Sequence, residues 1–247
     1  MKIDIHSSDS YTPHAPIKGG FCFWSTATIV FLCAIFSLNK NVLAQQTWNS
    51  GKFIIARVKY NGGGDWYNDP SILPNMLNFL SQNTTISCGA EERYVELTDD
   101  ALFSYPILFI TGHGQIAFSD EEAKRLRLYL ESGGFLYADD DYGMDKHFRK
   151  EMEKVFPNKK WLELPFNHDI YHILYDFPRG IPKIHEHDGG PGKAYGLFHE
   201  GKMVVFYTVN TNISDGWADP EVHKDPEPVR QTAFRMGANV VVYALIR

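Results

Sequence analysis

Three consecutive aspartates, Asp139–Asp141, follow the apolar stretch 135–138 and are the residues of this chain best suited to chemistry. Neighbouring carboxylates repel one another, so such a run destabilises a fold unless a cation, an arginine or a helix N-terminus compensates. His113 follows another apolar stretch, 106–111. In open α/β sheets the ligand crevice lies beyond the carboxyl ends of the strands. We therefore expect a polar pocket there. The alternative is that one aspartate caps the next helix while the others face water.

Histidines supply a second group of candidates. His168 and His172 are four residues apart, the spacing at which one helical face offers two imidazoles to a metal. No glutamate follows His168, so the metalloprotease motif is absent. A further cluster, 185–188, reads His-Glu-His-Asp and precedes two glycines. The predicted catalytic residues are His113, Asp139, Asp140, Asp141, His168 and His172, and the predicted ligands of a divalent metal are His168, His172 and Asp140.

Glycine-flanked loops suggest two further features. Gly112 and Gly114 surround His113, and their backbone amides could cradle an anion or an oxyanion; an ordinary tight turn is the alternative. Two loops carry tryptophan beside aspartate, at 65–67 and at 215–217. Such aromatic side chains either stack on sugars or plug the core of an α/β domain.

The elements that must position these residues alternate between strand and helix. A buried apolar run, a turn, a capped helix and a second apolar run form a right-handed βαβ unit over 105–143. Ser119 is a good N-cap for its helix, and Glu122 completes a capping box. The residues between 157 and 193 are expected to form a long loop region with one short helix near 168–175. The predicted strands are 51–60, 94–97, 106–111 and 135–138, with a hairpin over 194–207, and the main helices are 71–81, 119–132, 145–155 and 228–245.

The first 44 residues are typical of an export signal. The run 21–38 is almost entirely apolar, and Val42-Leu43-Ala44 offers small residues at the positions that a signal peptidase requires. We expect residues 1–44 to be a signal peptide and 45–247 a single α/β domain, periplasmic or secreted, with no stable membrane span after cleavage. Because the run is about 18 residues long, an uncleaved N-terminal anchor at Phe21 to Leu38 is the alternative.

The charge argues against a nucleic-acid partner, and the cysteine content argues against an internal disulfide bond. The chain has 30 acidic and 24 basic residues, of which two and three lie in 1–44, so the mature part retains 28 and 21 and a formal net charge of −7. A nucleic-acid partner would need a basic face. Cys88 alone remains after cleavage, so the mature chain forms no internal disulfide bond. The oligomeric state is left open.

The ordered set of motifs resembles the domain-of-unknown-function 4159 family over roughly 52–246. The segments that carry the resemblance are Lys-Tyr-Asn-Gly-Gly-Gly-Asp-Trp-Tyr, Phe-Ile-Thr-Gly-His-Gly, Leu-Glu-Ser-Gly-Gly-Phe-Leu-Tyr-Ala-Asp-Asp and His-Asp-Ile-Tyr-His. That family is similar in fold to class I glutamine amidotransferases and to ThuA-like proteins of trehalose utilisation. The resemblance implies an α/β, flavodoxin-like three-layer sandwich with a mostly parallel sheet, and it implies no established activity.

One departure from the amidotransferases is decisive. Their nucleophile is a cysteine in the turn after a Gly-Gly-apolar strand, and here that turn holds Asp139–Asp141. Cys88 is badly placed to substitute, so thiolate-dependent glutamine hydrolysis is excluded. We expect an exported domain whose Asp/His pocket binds or acts on a small polar ligand such as a sugar, with a divalent metal as candidate cofactor. The alternative is a non-catalytic envelope component that serves interaction or assembly.

Overall fold

A computed structural model of the chain describes residues 51–185 and 187–247. The described part is an α/β fold in which helices flank a seven-stranded mixed sheet. The strands are β1 (Ile55–Lys59), β2 (Arg93–Glu96), β3 (Ile107–His113), β4 (Phe135–Tyr142), β5 (Leu162–Glu163), β6 (Lys193–His199) and β7 (Lys202–Val209). The helices are α1 (Ile72–Asn83), α2 (Asp120–Glu131), α3 (Asp145–Val155), α4 (Pro220–His223) and α5 (Glu227–Ile246), with short 3₁₀ turns at Asp100–Ser104, Asp169–Tyr171 and Asp215–Trp217.

The sheet is mostly parallel. Its strand order is β2-β1-β3-β4-β7-β6-β5, and the first five strands run parallel while β6 pairs antiparallel with both of its neighbours. Counted along the chain, the parallel strands have the order 2-1-3-4-5 of flavodoxin-like folds. In that order the direction of winding reverses between β1 and β3, so the loops after these strands diverge and leave a crevice.

Helices cover both faces of the sheet. One apolar core lies between the sheet and α1 and α5, and the other lies between the sheet and α2 and α3. Consecutive side chains of β4 alternate between the two: Phe135 and Tyr137 join the first core, and Leu136 and Ala138 join the second. This alternation is the two-residue period of a strand. It determines where the three aspartates point.

Most predicted elements are confirmed within a few residues. The capping box of α2 is present, because Ser119 Oγ accepts from the Glu122 amide at 3.2 Å and Glu122 Oε2 accepts from the Ser119 amide at 2.7 Å. The prediction that β4 ends at Ala138 was wrong. The strand continues through Tyr142, because β3 and β7 pair with it on both sides as far as Asp139. The aspartates therefore belong to the strand rather than to the turn after it.

Two other predictions meet different outcomes. The short helix near 168–175 was wrong, because only a three-residue 3₁₀ turn, Asp169–Tyr171, forms there. The predicted signal peptide, and the alternative anchor at Phe21 to Leu38, lie outside the described residues. Among the described helices, none combines the length and apolarity that a membrane span requires.

A buried arginine fixes the loop after β1. Arg57 is inaccessible to solvent, and its Nε donates to Glu92 Oε2 at 2.9 Å. Its Nη1 and Nη2 donate to the backbone carbonyls of Trp66, Asn68 and Asp69 at 2.8–3.3 Å. The guanidinium group thus converts a glycine-rich loop into a fixed platform, because four acceptors share one rigid, permanently charged fork.

Replacing Arg57 with methionine should unfold this platform. Arg57→Met leaves Glu92 buried without its cation and frees three loop carbonyls, so we expect a loss of about 3 kcal/mol or more in the free energy of unfolding. Urea denaturation followed by circular dichroism measures this loss. Arg93→Met is the matched control, because Arg93 pairs with Glu91 at the solvent-exposed surface and should change stability by less than about 1 kcal/mol. Equal effects of the two variants would contradict the role assigned to Arg57.

Candidate functional site

Polar side chains converge where the parallel strands end. They come from the last residues of β3 and β4, from the loops after β1 and β7, from the segment before β6, and from α4 and the residues after it. We call this group the carboxyl-edge cluster. Its members are Asp65, Asn68, Asp69, His113, Asp141, His185, Asn212, Asp215, His223 and Asp225.

Asp139 is a structural anchor for the loop after β7. Its Oδ1 accepts from the Thr208 and Thr211 hydroxyls at 2.5 and 3.2 Å, and its Oδ2 accepts from the Ser214 amide and hydroxyl at 2.7 and 2.8 Å. The side chain is inaccessible to solvent. Burial raises the pKa of Asp139 to about 6, although the donors of Thr208 and Ser214 oppose the shift. Asp139 therefore holds a loop and cannot reach a ligand.

Asp140 points to the opposite face and serves α3. Its Oδ1 accepts from the Met144 amide at 2.8 Å and its Oδ2 from the Asp145 amide at 3.2 Å, where α3 begins. The alternative considered from the sequence, that one aspartate caps this helix, fits Asp140. Asp139 and Asp141 do not face water as that alternative supposed, since both are buried.

Asp141 belongs to the carboxyl-edge cluster. Asn68 Nδ2 donates to its Oδ2 at 2.7 Å, and Asn212 Nδ2 donates to its Oδ1 at 2.8 Å. His113 Nε2 lies 3.3 Å from Asp141 Oδ2. Burial and the nearby carboxylate of Asp215 raise the pKa of Asp141, against the opposing influence of His113. Asp141 is thus a carboxyl group that can hold a proton near neutral pH.

His113 is the accessible member of this group. Its Nδ1 lies 3.0 Å from Asp65 Oδ2, and its backbone N–H donates to Asp65 Oδ1 at 2.6 Å. About half of the side chain remains exposed to solvent. Partial burial lowers the pKa of His113, but Asp141 and Asp65 outweigh it, so the pKa rises above the ordinary value. An imidazole held between two carboxylates and open to solvent is suited to proton transfer.

A second His–Asp arrangement adjoins the first. Asp215 Oδ2 lies 3.0 Å from His185 Nδ1 and accepts from Asn212 Nδ2 at 3.2 Å. His185 Nε2 lies 2.8 Å from Asp225 Oδ1. The bond to Asp215 raises the pKa of His185 to about 9. His185 therefore bridges two carboxylates, as His113 does.

The same pattern recurs at His223. His223 Nε2 lies 2.8 Å from Asp69 Oδ2 and 4.0 Å from Asp215 Oδ1. Asp69 raises the pKa of His223, and the same bond lowers the pKa of Asp69. The edge of the sheet thus holds three imidazoles, each in contact with carboxylates from distant parts of the chain.

The predicted grouping of His168 and His172 with Asp140 is not formed. The His168 ring packs against Tyr243, 5.4 Å between centroids, and Tyr243 packs against Phe135 at the start of β4. Asp140 lies five residues further along that strand, about 16 Å at the usual rise, and on the other face. The sequence interpretation required a helix to align the two imidazoles, and the short 3₁₀ turn does not supply one.

Local partners account for both histidines. His168 Nδ1 accepts from the Ile170 amide at 3.2 Å, so His168 caps the 3₁₀ turn. His172 Nδ1 lies 2.5 Å from Asp176 Oδ1, and its Nε2 lies 2.8 Å from the Phe166 carbonyl. Each imidazole stabilises its own loop rather than a shared site with Asp140.

The predicted anion cradle at Gly112 and Gly114 does not match the geometry. The His113 amide already donates to Asp65, and the Gly114 amide donates to the Tyr142 carbonyl at 3.0 Å. Nearby carboxylates would also repel an anion. Gly112 is instead required by packing, because a Cβ there would lie 2.3 Å from the Tyr60 hydroxyl. The segment is a tight turn, the alternative already noted from the sequence.

The remaining candidates separate into buried and peripheral residues. Trp217 is buried in the core beside Gly237, and its Nε1 donates to the Ala233 carbonyl, so it plugs the fold and does not stack on a ligand. The backbone of Cys88 forms an isolated β-bridge with that of Phe53, which precedes β1. This bridge lies at the amino ends of the parallel strands, opposite the cluster. Burial raises the pKa of the Cys88 thiol, which makes Cys88 a poor nucleophile.

The sequence interpretation missed several members of the cluster. Asp69, Asn212, His223 and Asp225 carry no motif, and Asp65, His185 and Asp215 were noted only as parts of loops. The available signal was position, because Asp65, Asp69, Asn212 and Asp215 all follow parallel strands at their carboxyl ends. That signal does not reveal which loops fold back far enough to meet.

The fold and this cluster define an α/β domain with a buried Asp/His centre at the carboxyl edge of its sheet. The chain belongs to the family described as domain of unknown function 4159, whose model matches residues 54–245. A comparison with curated proteins finds no significant match. The family is therefore known, and its description names no activity.

Adjacent aspartates should differ sharply in their effect on stability. Asp139→Ala strands four buried donors, so we expect a loss on the order of 3 kcal/mol or more in the free energy of unfolding. Asp140→Ala removes a helix-capping acceptor and should cost about 1 kcal/mol. Chemical denaturation of both variants tests this difference. A larger loss for Asp140→Ala than for Asp139→Ala would contradict the roles assigned here.

The pH dependence of stability tests the environment of Asp140. Burial raises the pKa of this carboxyl from 3.8 to about 6, so between these values the folded protein binds more protons than the unfolded chain. Its contribution to stability should therefore fall as pH rises from about 4 to 6 and then level off. Asp140→Asn keeps one acceptor oxygen for the Met144 amide and does not titrate; loss of the second acceptor lowers its stability by an amount that does not depend on pH. The free energies of unfolding of the wild type and of Asp140→Asn would be measured at pH 4, 5, 6 and 7. The wild type should lose stability relative to the variant as pH rises, and a constant difference would refute the shifted pKa.

Proposed function

We propose that the carboxyl-edge cluster binds a small polar ligand and that His113 transfers a proton to or from it. The observation that carries the proposal is the position of His113, half exposed and in contact with Asp65 on one ring nitrogen and with Asp141 on the other. Asp65 fixes the ring, because it accepts from the backbone amide of His113 and contacts Nδ1. His113 Nε2 is then the ring nitrogen beside the proton store at Asp141, and about half of the side chain is open to solvent.

The chemistry of the surroundings favours a neutral or cationic ligand. Aspartates from four separate segments face the cluster, and an anionic ligand would be repelled. Two exposed tyrosines are close to members of the cluster along the chain: Tyr142 follows Asp141 directly and packs 5.0 Å from the His187 ring, and Tyr67 lies in the loop that carries Asp65. A sugar fits these surroundings, because its hydroxyl groups can donate to the carboxylates and its ring face can pack on a tyrosine. The fold similarity to ThuA-like proteins, which the sequence motifs imply, points to the same ligand class.

The proposed reaction is general acid–base catalysis on such a ligand. His113 would donate a proton from Nε2 to a ligand oxygen and take one back from Asp141, and solvent water would then reprotonate Asp141 through the half-exposed imidazole. Asp141 is buried and acts through His113, so it is a positioning residue. Neither step uses a cysteine, in keeping with the exclusion of thiolate chemistry.

Binding of sugars to wild-type protein and to His113→Ala tests the proposal. Thermal melts would be measured with glucose and with trehalose at 10 mM each. A dissociation constant of about 1 mM would stabilise the protein by about 1.4 kcal/mol, and we expect His113→Ala to lose this stabilisation while folding normally. His172→Ala is the control, since it removes an exposed imidazole that contacts Asp176. Equal stabilisation of wild type and His113→Ala would overturn the role of His113.

A pH titration of the His113 imidazole by NMR tests the geometry without a ligand. The imidazole should titrate above the ordinary value of 6.5, and Asp65→Asn should lower its pKa because a neighbouring negative charge is lost. If no sugar binds and the imidazole titrates normally, the alternative of a non-catalytic interaction or assembly component is favoured.

A further inference from the structure

Asp215 lies where two groups of metal-binding side chains meet. We propose that its carboxylate bridges two divalent cations at the carboxyl edge, one held with Asp69 and His223 and the other with His185 and His187. Within each group, one candidate ligand atom per residue lies within 4.8 Å of the others. That spread is close to the diameter of one coordination sphere, about 4–4.6 Å for ligand bonds of 2.0–2.3 Å. The proposal does not depend on the sugar or on the role of His113.

The orientation of Asp215 is that of a bridge. Its Oδ2 lies 3.0 Å from His185 Nδ1, whereas its Oδ1 lies toward His223 Nε2, at 4.0 Å. Asn212 donates to Oδ2 at 3.2 Å and holds this orientation. Because the two oxygens of one carboxylate face two different imidazoles, each oxygen can serve one cation. Paired cations about 3.5–4 Å apart form the two-metal sites of many hydrolytic enzymes.

The partner of His185 matches that of a metal ligand. His185 Nε2 contacts Asp225 Oδ1 at 2.8 Å, which leaves Nδ1 directed at Asp215. A ligating histidine commonly presents its other ring nitrogen to a carboxylate, which fixes the tautomer and strengthens the ligand. The side chain of Asp225 is about nine-tenths buried, so this support is part of the fold.

An unpartnered oxygen provides an independent sign of a missing ligand. Asn212 is 1% exposed, its Nδ2 contacts Asp141 and Asp215, and its Oδ1 has no hydrogen-bond partner among the described residues. A buried oxygen without a partner costs about 1–3 kcal/mol. Water coordinated to a cation on Asp215 would provide Asn212 Oδ1 with a donor.

Counting bound ions tests the proposal. The purified full chain would be stripped with EDTA, desalted and titrated with Zn²⁺ and separately with Mn²⁺ by calorimetry, and bound metal would be counted by mass spectrometry. We expect two ions per chain for at least one of these metals. Asp215→Asn should weaken both sites at least tenfold, since the shared ligand is lost. His187→Ala and His223→Ala should each retain one ion.

Controls separate a specific site from loose association. His172→Ala should still bind two ions, because that imidazole contacts only its own loop. Circular dichroism tests whether each variant is folded. If Asp215→Asn does not fold, the two histidine variants still decide, since each should bind one ion where the wild type binds two. A wild-type protein that binds one ion or none, or two ions retained by folded Asp215→Asn, would overturn the bridge. The short His–Asp contacts would then be ordinary hydrogen-bonded pairs.

Discussion

Three carboxylates in succession near the end of the central strand β4 impose the constraint on which the rest of the structure depends. Carboxylates so close together repel one another, and burial adds a desolvation cost to each. The fold meets this constraint by separating their environments. Asp139 binds hydroxyl and amide donors of the loop after β7, Asp140 binds the first amides of α3, and Asp141 binds two asparagines and His113.

Hydrogen bonds to buried charged side chains also hold distant segments of the chain in position. Asp139 accepts hydrogen bonds from the loop that carries Asn212 and Asp215, and these bonds fix that loop. Arg57 donates to carbonyls of the loop that carries Asp69 and fixes it in the same way. Two unrelated loops therefore become rigid at the same edge of the sheet. Rigid placement matters for chemistry, because proton transfer and cation binding both require side chains held within a fraction of an ångström.

The resulting centre is costly to maintain. Buried carboxyl groups, imidazoles shared between carboxylates and unpartnered amide oxygens each lower stability relative to an apolar core. Such a concentration of ionisable groups with shifted pKa values is typical of functional sites, although structural ion pairs produce similar shifts. The half-exposed His113 connects the buried groups to solvent, and the proposed function rests on this feature.

The sequence by itself determined the fold class, the family and most helix and strand positions, because hydrophobic periodicity and capping residues are local signals. It also singled out Asp139–Asp141 and His113, because they follow apolar stretches where strands end. Only the tertiary structure decided the rest. The two-residue period of β4 sends Asp140 away from Asp141, and the absence of a helix near His168 leaves His172 in its own loop. Asp69, Asp215 and His223 meet only because separate loops fold back to one edge, and the spacing of residues along the chain carries no record of that meeting.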